Sequence, residues 1–150
     1  MIKEEKSGII RRPIEEVFAY VSDLRHSPEW QSGLVEVRQT TEGPLGIGTT
    51  HVAVRKFMGQ KMEASTEFVA YEQNKKITFK GTSGPMHFET SYLFDATPEG
   101  TKLTCQIEMQ PGGILGLAEP LIAASLRREM EAGAGELKDL LENQAVGITS

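Results

Sequence analysis

Few residues in this chain could do chemistry, and their spacing says more about which face they share than about a reaction. Three histidines are present, His26, His51 and His87. His87 and Glu89 stand at i and i+2 and so share one face of a strand, where an imidazole beside a carboxylate can shuttle a proton. Around them Met86, Phe88, Thr90, Tyr92 and Phe94 alternate with His87, Glu89, Ser91 and Asp95. The pair therefore falls on the charged side, and a solvated surface role is favoured. His51 and Arg55 share a strand too, but Val52 and Val54 compete with His51, Ala53 and Arg55 for its inner face. Exposure of His51 and Arg55 is the simpler expectation. His26 falls on the link between two short helices, a surface position. No H-E-x-x-H spacing joins the histidines, and the three are scattered along the chain, so neither a metal nor a cofactor is expected.

Tyr92 is the polar residue on the apolar side of its strand. Its phenol could donate a hydrogen bond to a ligand carbonyl or to an enolate formed during ring closure. The plainer alternative is a core tyrosine bonded to a backbone carbonyl. Cys105 is the only cysteine, which excludes an intrachain disulfide and a thiolate zinc cluster within one chain. It lies on the apolar side of the run Leu103 to Met109, with no recognisable basic activator, and reads as a small buried hydrophobe. Arg127, Arg128, Glu129 and Glu131 read as the wet side of a helix.

The elements that must position these residues are clearer. A long amphipathic helix is predicted from about Ala118 to Glu142. At ~100° per residue, Leu115, Ile122, Leu126, Met130, Gly133, Leu137, Leu140 and Leu141 fall within roughly 100° of arc. At ~1.5 Å per residue it is about 35–40 Å long, close to the reach of a strand of about ten residues. Such a helix can lie across a whole sheet. Before it, Ile2 to Arg11 is strand-like but noisy. Pro13 stands at a first helical position, with Glu15 and Glu16 in the first turn, and Ile14, Val17, Phe18 and Val21 keep helical spacing. Ser22-Asp23 ends that helix or caps the next piece, and Ser27-Pro28 reads as the start of a second short helix. From Gly33 the period changes to two. Strands are predicted at about Leu34 to Thr41, Thr49 to Phe57, Lys61 to Tyr71, Lys76 to Gly81, Met86 to Asp95 and Lys102 to Met109. Breakers such as Met58-Gly59, Gln73-Asn74 and Ser83-Gly84-Pro85 are too short for parallel crossovers, so the strands form an antiparallel meander.

Composition sets outer limits. The chain has 150 residues, 39% hydrophobic and 25% charged, with a net charge of −5. That size favours one domain, 1–143, with a short tail at 144–150. The acidic balance and the lack of a basic cluster interleaved with aromatics argue against nucleic acid as a partner. The N-terminus carries no apolar leader and no stretch approaches ~18 apolar residues, so a cytoplasmic protein without stable membrane insertion is expected.

The order strand, two short helices, antiparallel meander, long terminal helix resembles the START-like (SRPBCC) superfamily, in particular its polyketide cyclase/dehydrase branch. The resemblance rests on Arg12 to Phe18 through Ser22-Asp23, on Pro28-Glu29-Trp30 and on Gly46-Ile47-Gly48-Thr49. It rests also on Glu99 to Thr104 and Leu137 to Glu142, and covers about Ile2 to Glu142. It implies an α+β helix-grip fold, a curved antiparallel sheet of about seven strands wrapped around the C-terminal helix. It also implies a cavity between the two for a hydrophobic or amphipathic small molecule. No catalytic motif is shared across the branch. Trp30, Met62, Phe68, Phe79, Phe88, Tyr92, Leu126 and Met130, on the inferred inner faces, are the candidate ligand-binding residues, with core filling as the alternative for each. Trp30, if buried, needs a partner for its indole N–H. Gly133 lies in the apolar stripe of the helix, which points either to close helix-to-sheet contact or to a widened cavity. Gly135 lies opposite and has no evident role. Binding of a hydrophobic ligand is the leading expectation. A cyclase-type enzyme performing aldol closure or water loss is the alternative, and it gains if His51 and Arg55 face inward beside Tyr92. A homodimer through the sheet edge or long helix stays open.

Overall fold

The computed structural model describes residues 1–57, 59–83 and 86–149, and the side chains of these except 57, 86, 114, 115 and 144–149. The expected breakers Met58 and Gly84-Pro85 and the side chain of Leu115 lie outside the described residues. Strand β1 (Ile2–Ile10) leads to helix α1 (Ile14–Ser22) and a 3-10 turn over Leu24–Glu29. The meander follows as β2 (Leu34–Gln39), β3 (Thr50–Phe57), β4 (Gln60–Glu72), β5 (Lys76–Gly81), β6 (Met86–Thr97) and β7 (Gly100–Pro111). A second 3-10 turn, Gly113–Ala118, feeds helix α2 (Glu119–Thr149). The seven strands form one antiparallel sheet in the order β1-β7-β6-β5-β4-β3-β2. This is the helix-grip arrangement that the sequence predicts, with α2 running on past Glu142. No described helix is long and apolar enough to cross a membrane.

The register explains the noise in β1. Residues directly opposite in an antiparallel pair share a face, and Ile2, Glu4, Lys6, Gly8 and Ile10 stand opposite Met109, Ile107, Cys105, Leu103 and Thr101. A strand whose inner face carries two charges and a glycine cannot show clean alternation. The start of α1 shifts by one residue from the expectation, because Pro13 is extended (ψ 149°) and serves as the cap. The 3-10 turn begins earlier than Ser27-Pro28 suggested. Asp23 caps it, accepting from the Arg25 backbone N–H at 3.2 Å and from the Arg25 guanidinium at 2.8 and 2.9 Å, so an orphan donor is satisfied and the turn is anchored there.

The chain starts at one edge of the sheet, crosses to the opposite edge through α1 and the 3-10 turn, and meanders back. The crossing closes one end of the concave face. There Phe18 packs edge-on against Tyr71 and Phe94, with centroids 5.5 and 5.0 Å apart, and joins Val17, Val21, Ile77, Leu103, Leu137 and Leu141 in a buried core. The C-terminal half of α2 belongs to that packed end. Its N-terminal half, carrying Ile122, Leu126 and Met130, roofs the other end, where the sheet stays apart from the helix.

Candidate functional site

Between α2 and the sheet lie two adjoining hollows. The smaller, about 180 Å³, is walled by β2 to β7, the 3-10 turn and α2. The larger, about 570 Å³, lies toward β1 and β7. Both share Gln31, Arg55, Tyr92, Ile107, Leu126 and Glu129 as walls. Protein interiors rarely leave voids much larger than a water molecule, and pockets for small ligands run to ~300–1,000 Å³.

The shared wall carries a polar line. Arg55 donates from Nη1 to both Glu129 carboxylate oxygens, at 2.6 and 2.7 Å, and from Nη2 to Gln31 Oε1 at 3.3 Å. Gln31 Nε2 donates in turn to Tyr92 Oη at 3.3 Å. Gly33 admits the ion pair: a Cβ there would stand 2.9 Å from both Arg55 Nη1 and Glu129 Oε1. Because Tyr92 Oη accepts from Gln31, its own proton is uncommitted. Burial raises its pKa well above the usual phenol value, so the group is a donor at neutral pH. Cys105 faces the larger hollow, and burial pushes its thiol up to about 12. It is inert as a nucleophile there.

The expectation that His51 and Arg55 are exposed is overturned. His51, Ala53 and Arg55 face the smaller hollow, and His51 is only 1% exposed. Their register decides it: His51, Ala53 and Arg55 stand opposite Thr66, Ala64 and Met62, the inner set of β4. Among the described residues, neither ring nitrogen of His51 nor the hydroxyl of Thr66 has a hydrogen-bond partner, although all are buried. Burial lowers the His51 pKa, with the Asp23 carboxylate opposing. Glu129 likewise leaves the expected wet face of α2 for the polar line. Its position was legible, since it falls three residues after Leu126 and four before Gly133, at the margin of the apolar stripe. Gln31 carried no sequence signal at all.

Of the candidate ligand-binding residues, Met62, Phe79 and Phe88 line the smaller hollow, Trp30 and Met130 the larger, and Tyr92 and Leu126 both. Phe68 departs from the expectation: it is fully buried and lines neither, wedged among His51, Tyr71 and Phe79 where the packed end begins. Trp30 is buried with its indole N–H unpartnered among the described residues, its ring edge-on to Tyr92 at 6.1 Å. Gly133 serves close contact, though with the Trp30 turn rather than the sheet, since a Cβ would stand 3.1 Å from the Trp30 carbonyl oxygen. Gly135 borders the larger hollow with open space around it. His87 and Glu89 are exposed, as expected. His26 stacks on Tyr20 at 4.5 Å on the surface of the 3-10 turn. No group of three or more potential metal ligands clusters among the described residues.

A sequence profile of the family described as "Polyketide cyclase / dehydrase and lipid transport" matches residues 1–142. The chain belongs to this family. Solved structures share the fold of this polyketide cyclase/dehydrase and lipid transport member at low identity. A START superfamily protein from Mycobacterium smegmatis is 16% identical, with a TM-score of 0.79 over 95% of this chain and 98% of that one. The Zhui aromatase/cyclase from a Streptomyces species is 12% identical, with a TM-score of 0.77 over 95% and 94%. The protein TTHA0849 from Thermus thermophilus is 18% identical, with a TM-score of 0.76 over 92% and 94%. No protein of curated function matches the sequence.

Proposed function

We propose that this protein binds a hydrophobic or amphipathic small molecule in the adjoining hollows beneath α2. The observation that carries the reading is the unfilled space itself, walled by apolar side chains from sheet and helix and crossed by one polar line. A chain selected for stability alone would fill it, because each unfilled cavity forfeits dispersion and transfer energy. The family description, which includes lipid transport, supports the same reading. The apolar body of a ligand would lie against Met62, Phe79, Phe88, Leu126 and Met130, and its polar end would meet Tyr92, Gln31 and Arg55. Native mass spectrometry of freshly purified protein is expected to show a copurified small molecule. No such mass, together with no uptake of hydrophobic fluorophores, would end the proposal.

A second reading has a specific observation behind it: His51 and Arg55 both face the hollow that Tyr92 also lines. In a cyclase-type enzyme, Tyr92 would donate its free proton to a carbonyl and a neutral His51 would accept one from carbon, while the enclosed walls hold the chain folded. The name of the Streptomyces structure, an aromatase/cyclase, favours testing this. Arg55 is already satisfied by Glu129, so it could meet an enolate only if Glu129 withdrew. Incubation with a linear poly-1,3-diketone is expected to yield a cyclised, dehydrated product under this reading, and unchanged diketone under the first alone.

A further inference from the structure

The inner end of the smaller hollow holds an unusual pairing. His51 and Thr66 are direct register partners on β3 and β4, both bury their side chains at 1% and 3% exposure, and both line the hollow. His51 Nδ1, His51 Nε2 and Thr66 Oγ1 all lack a hydrogen-bond partner among the described residues. Buried polar atoms are almost always paired, and leaving them unpaired costs stability. Three such atoms on two adjacent side chains that line one hollow are hydrogen-bonding capacity that the described residues do not use.

We infer that His51 and Thr66 form a recognition subsite for an uncharged hydroxyl group on a compact hydrocarbon body; the inference rests on the ligand-binding reading above. A neutral imidazole offers one donor and one acceptor, and the threonine hydroxyl offers both. A hydroxyl, which also donates and accepts, matches this set. A carbonyl oxygen would leave the acceptors unmet. An anion would need a cation, and the nearest one on the same strand, Arg55, is held by Glu129 at 2.6 Å. The depressed pKa of His51 agrees with a neutral ring. Size limits the body of the ligand. A dry cavity of ~150 Å³ takes benzene, so about 180 Å³ suits one ring or two fused ones, with Phe79, Phe88 and Ile107 as walls.

Equilibrium dialysis of 2-naphthol against naphthalene tests the subsite. The wild-type protein is expected to hold 2-naphthol more tightly, relative to each compound's partitioning into hydrocarbon, by about three- to tenfold, the worth of one or two neutral hydrogen bonds. Thr66→Val, which keeps the shape of the wall, and His51→Phe are each expected to cut that preference to about twofold or less. In protein carrying nitrogen-15 histidine, 2-naphthol is expected to shift the His51 ring resonances, and naphthalene to leave them in place. The wild-type comparison and the ring shifts need no variant, so a misfolded variant leaves the test intact. Equal binding of both compounds with unmoved His51 resonances overturns the subsite and leaves the ligand-binding reading standing. Binding of neither compound overturns both.

Discussion

Arg55 and Glu129 are the residues at which charge and burial meet most directly, with side chains 34% and 20% exposed. Removing one partner leaves the other charge facing an apolar hollow, which costs more than the pair itself contributes. Arg55→Met is expected to lower the unfolding free energy by about 1–3 kcal/mol, and Arg55→Met with Glu129→Met to recover most of that loss in urea denaturation. If the double variant is no more stable than the single, the pair is not the coupling element. His51 makes a pH prediction with a definite sign. Its folded pKa is lowered by burial, so the unfolded chain takes up the proton first as pH falls through ~6.5. Stability is full above that value and declines below it, by up to ~1.4 kcal/mol per pH unit, until the folded value is reached. Asp23 and Glu142, held low by hydrogen bonds from Arg25 and Lys138, lose their contributions only below ~4. Urea midpoints between pH 7 and 5 should therefore fall for the wild type and fall less for His51→Phe. At this scale the sequence was a poor guide. Alternation in β3 is ambiguous because valine, alanine, histidine and arginine all tolerate either face, and the register with β4 decides among them.

At the scale of elements, Gly133 and Gly135 of α2 give a matched pair of opposite sign. Each gains ~1 kcal/mol of helix propensity on replacement by alanine. At Gly135 a Cβ meets nothing within 4 Å, so Gly135→Ala is expected to raise the thermal midpoint. At Gly133 it would stand 3.1 Å from the Trp30 carbonyl oxygen and 3.5 Å from the indole. Gly133→Ala should lose its propensity gain to that contact, leave the midpoint unchanged or lower, and shift the Trp30 fluorescence. A rise in both midpoints would show that α2 does not lean on the Trp30 turn. Element existence was legible throughout, because β4 and β6 alternate over most of their length and α2 keeps its stripe over several turns. Boundaries were less so. The 3-10 turn begins at Leu24 because Asp23, which closes α1, also caps the turn through its side chain.

For the molecule as a whole, the balance between packed end and hollow end is the property to perturb. Gly8 faces the larger hollow from β1, with nothing within 4 Å of a Cβ. Gly8→Val adds a strand-favouring side chain in empty space, so stability is expected to hold or rise by about 0.5–1 kcal/mol, while uptake of anilinonaphthalene sulfonate weakens severalfold. Undiminished dye binding would place the dye elsewhere. What the sequence determined alone was the architecture: a first strand and a six-strand antiparallel meander, the covering helix, and which faces of β4 and β6 are apolar. Those follow from local periodicity and turn chemistry, which act over a few residues. The hollow, the inward turn of His51 and Arg55, and the line from Glu129 to Tyr92 were decided only in three dimensions. Gln31 and Tyr92, or Arg55 and Glu129, are separated by 61 and 74 residues. Whether such groups meet, and whether space remains between them, depends on how far the helix stands off the curved sheet, a distance that no stretch of sequence encodes by itself.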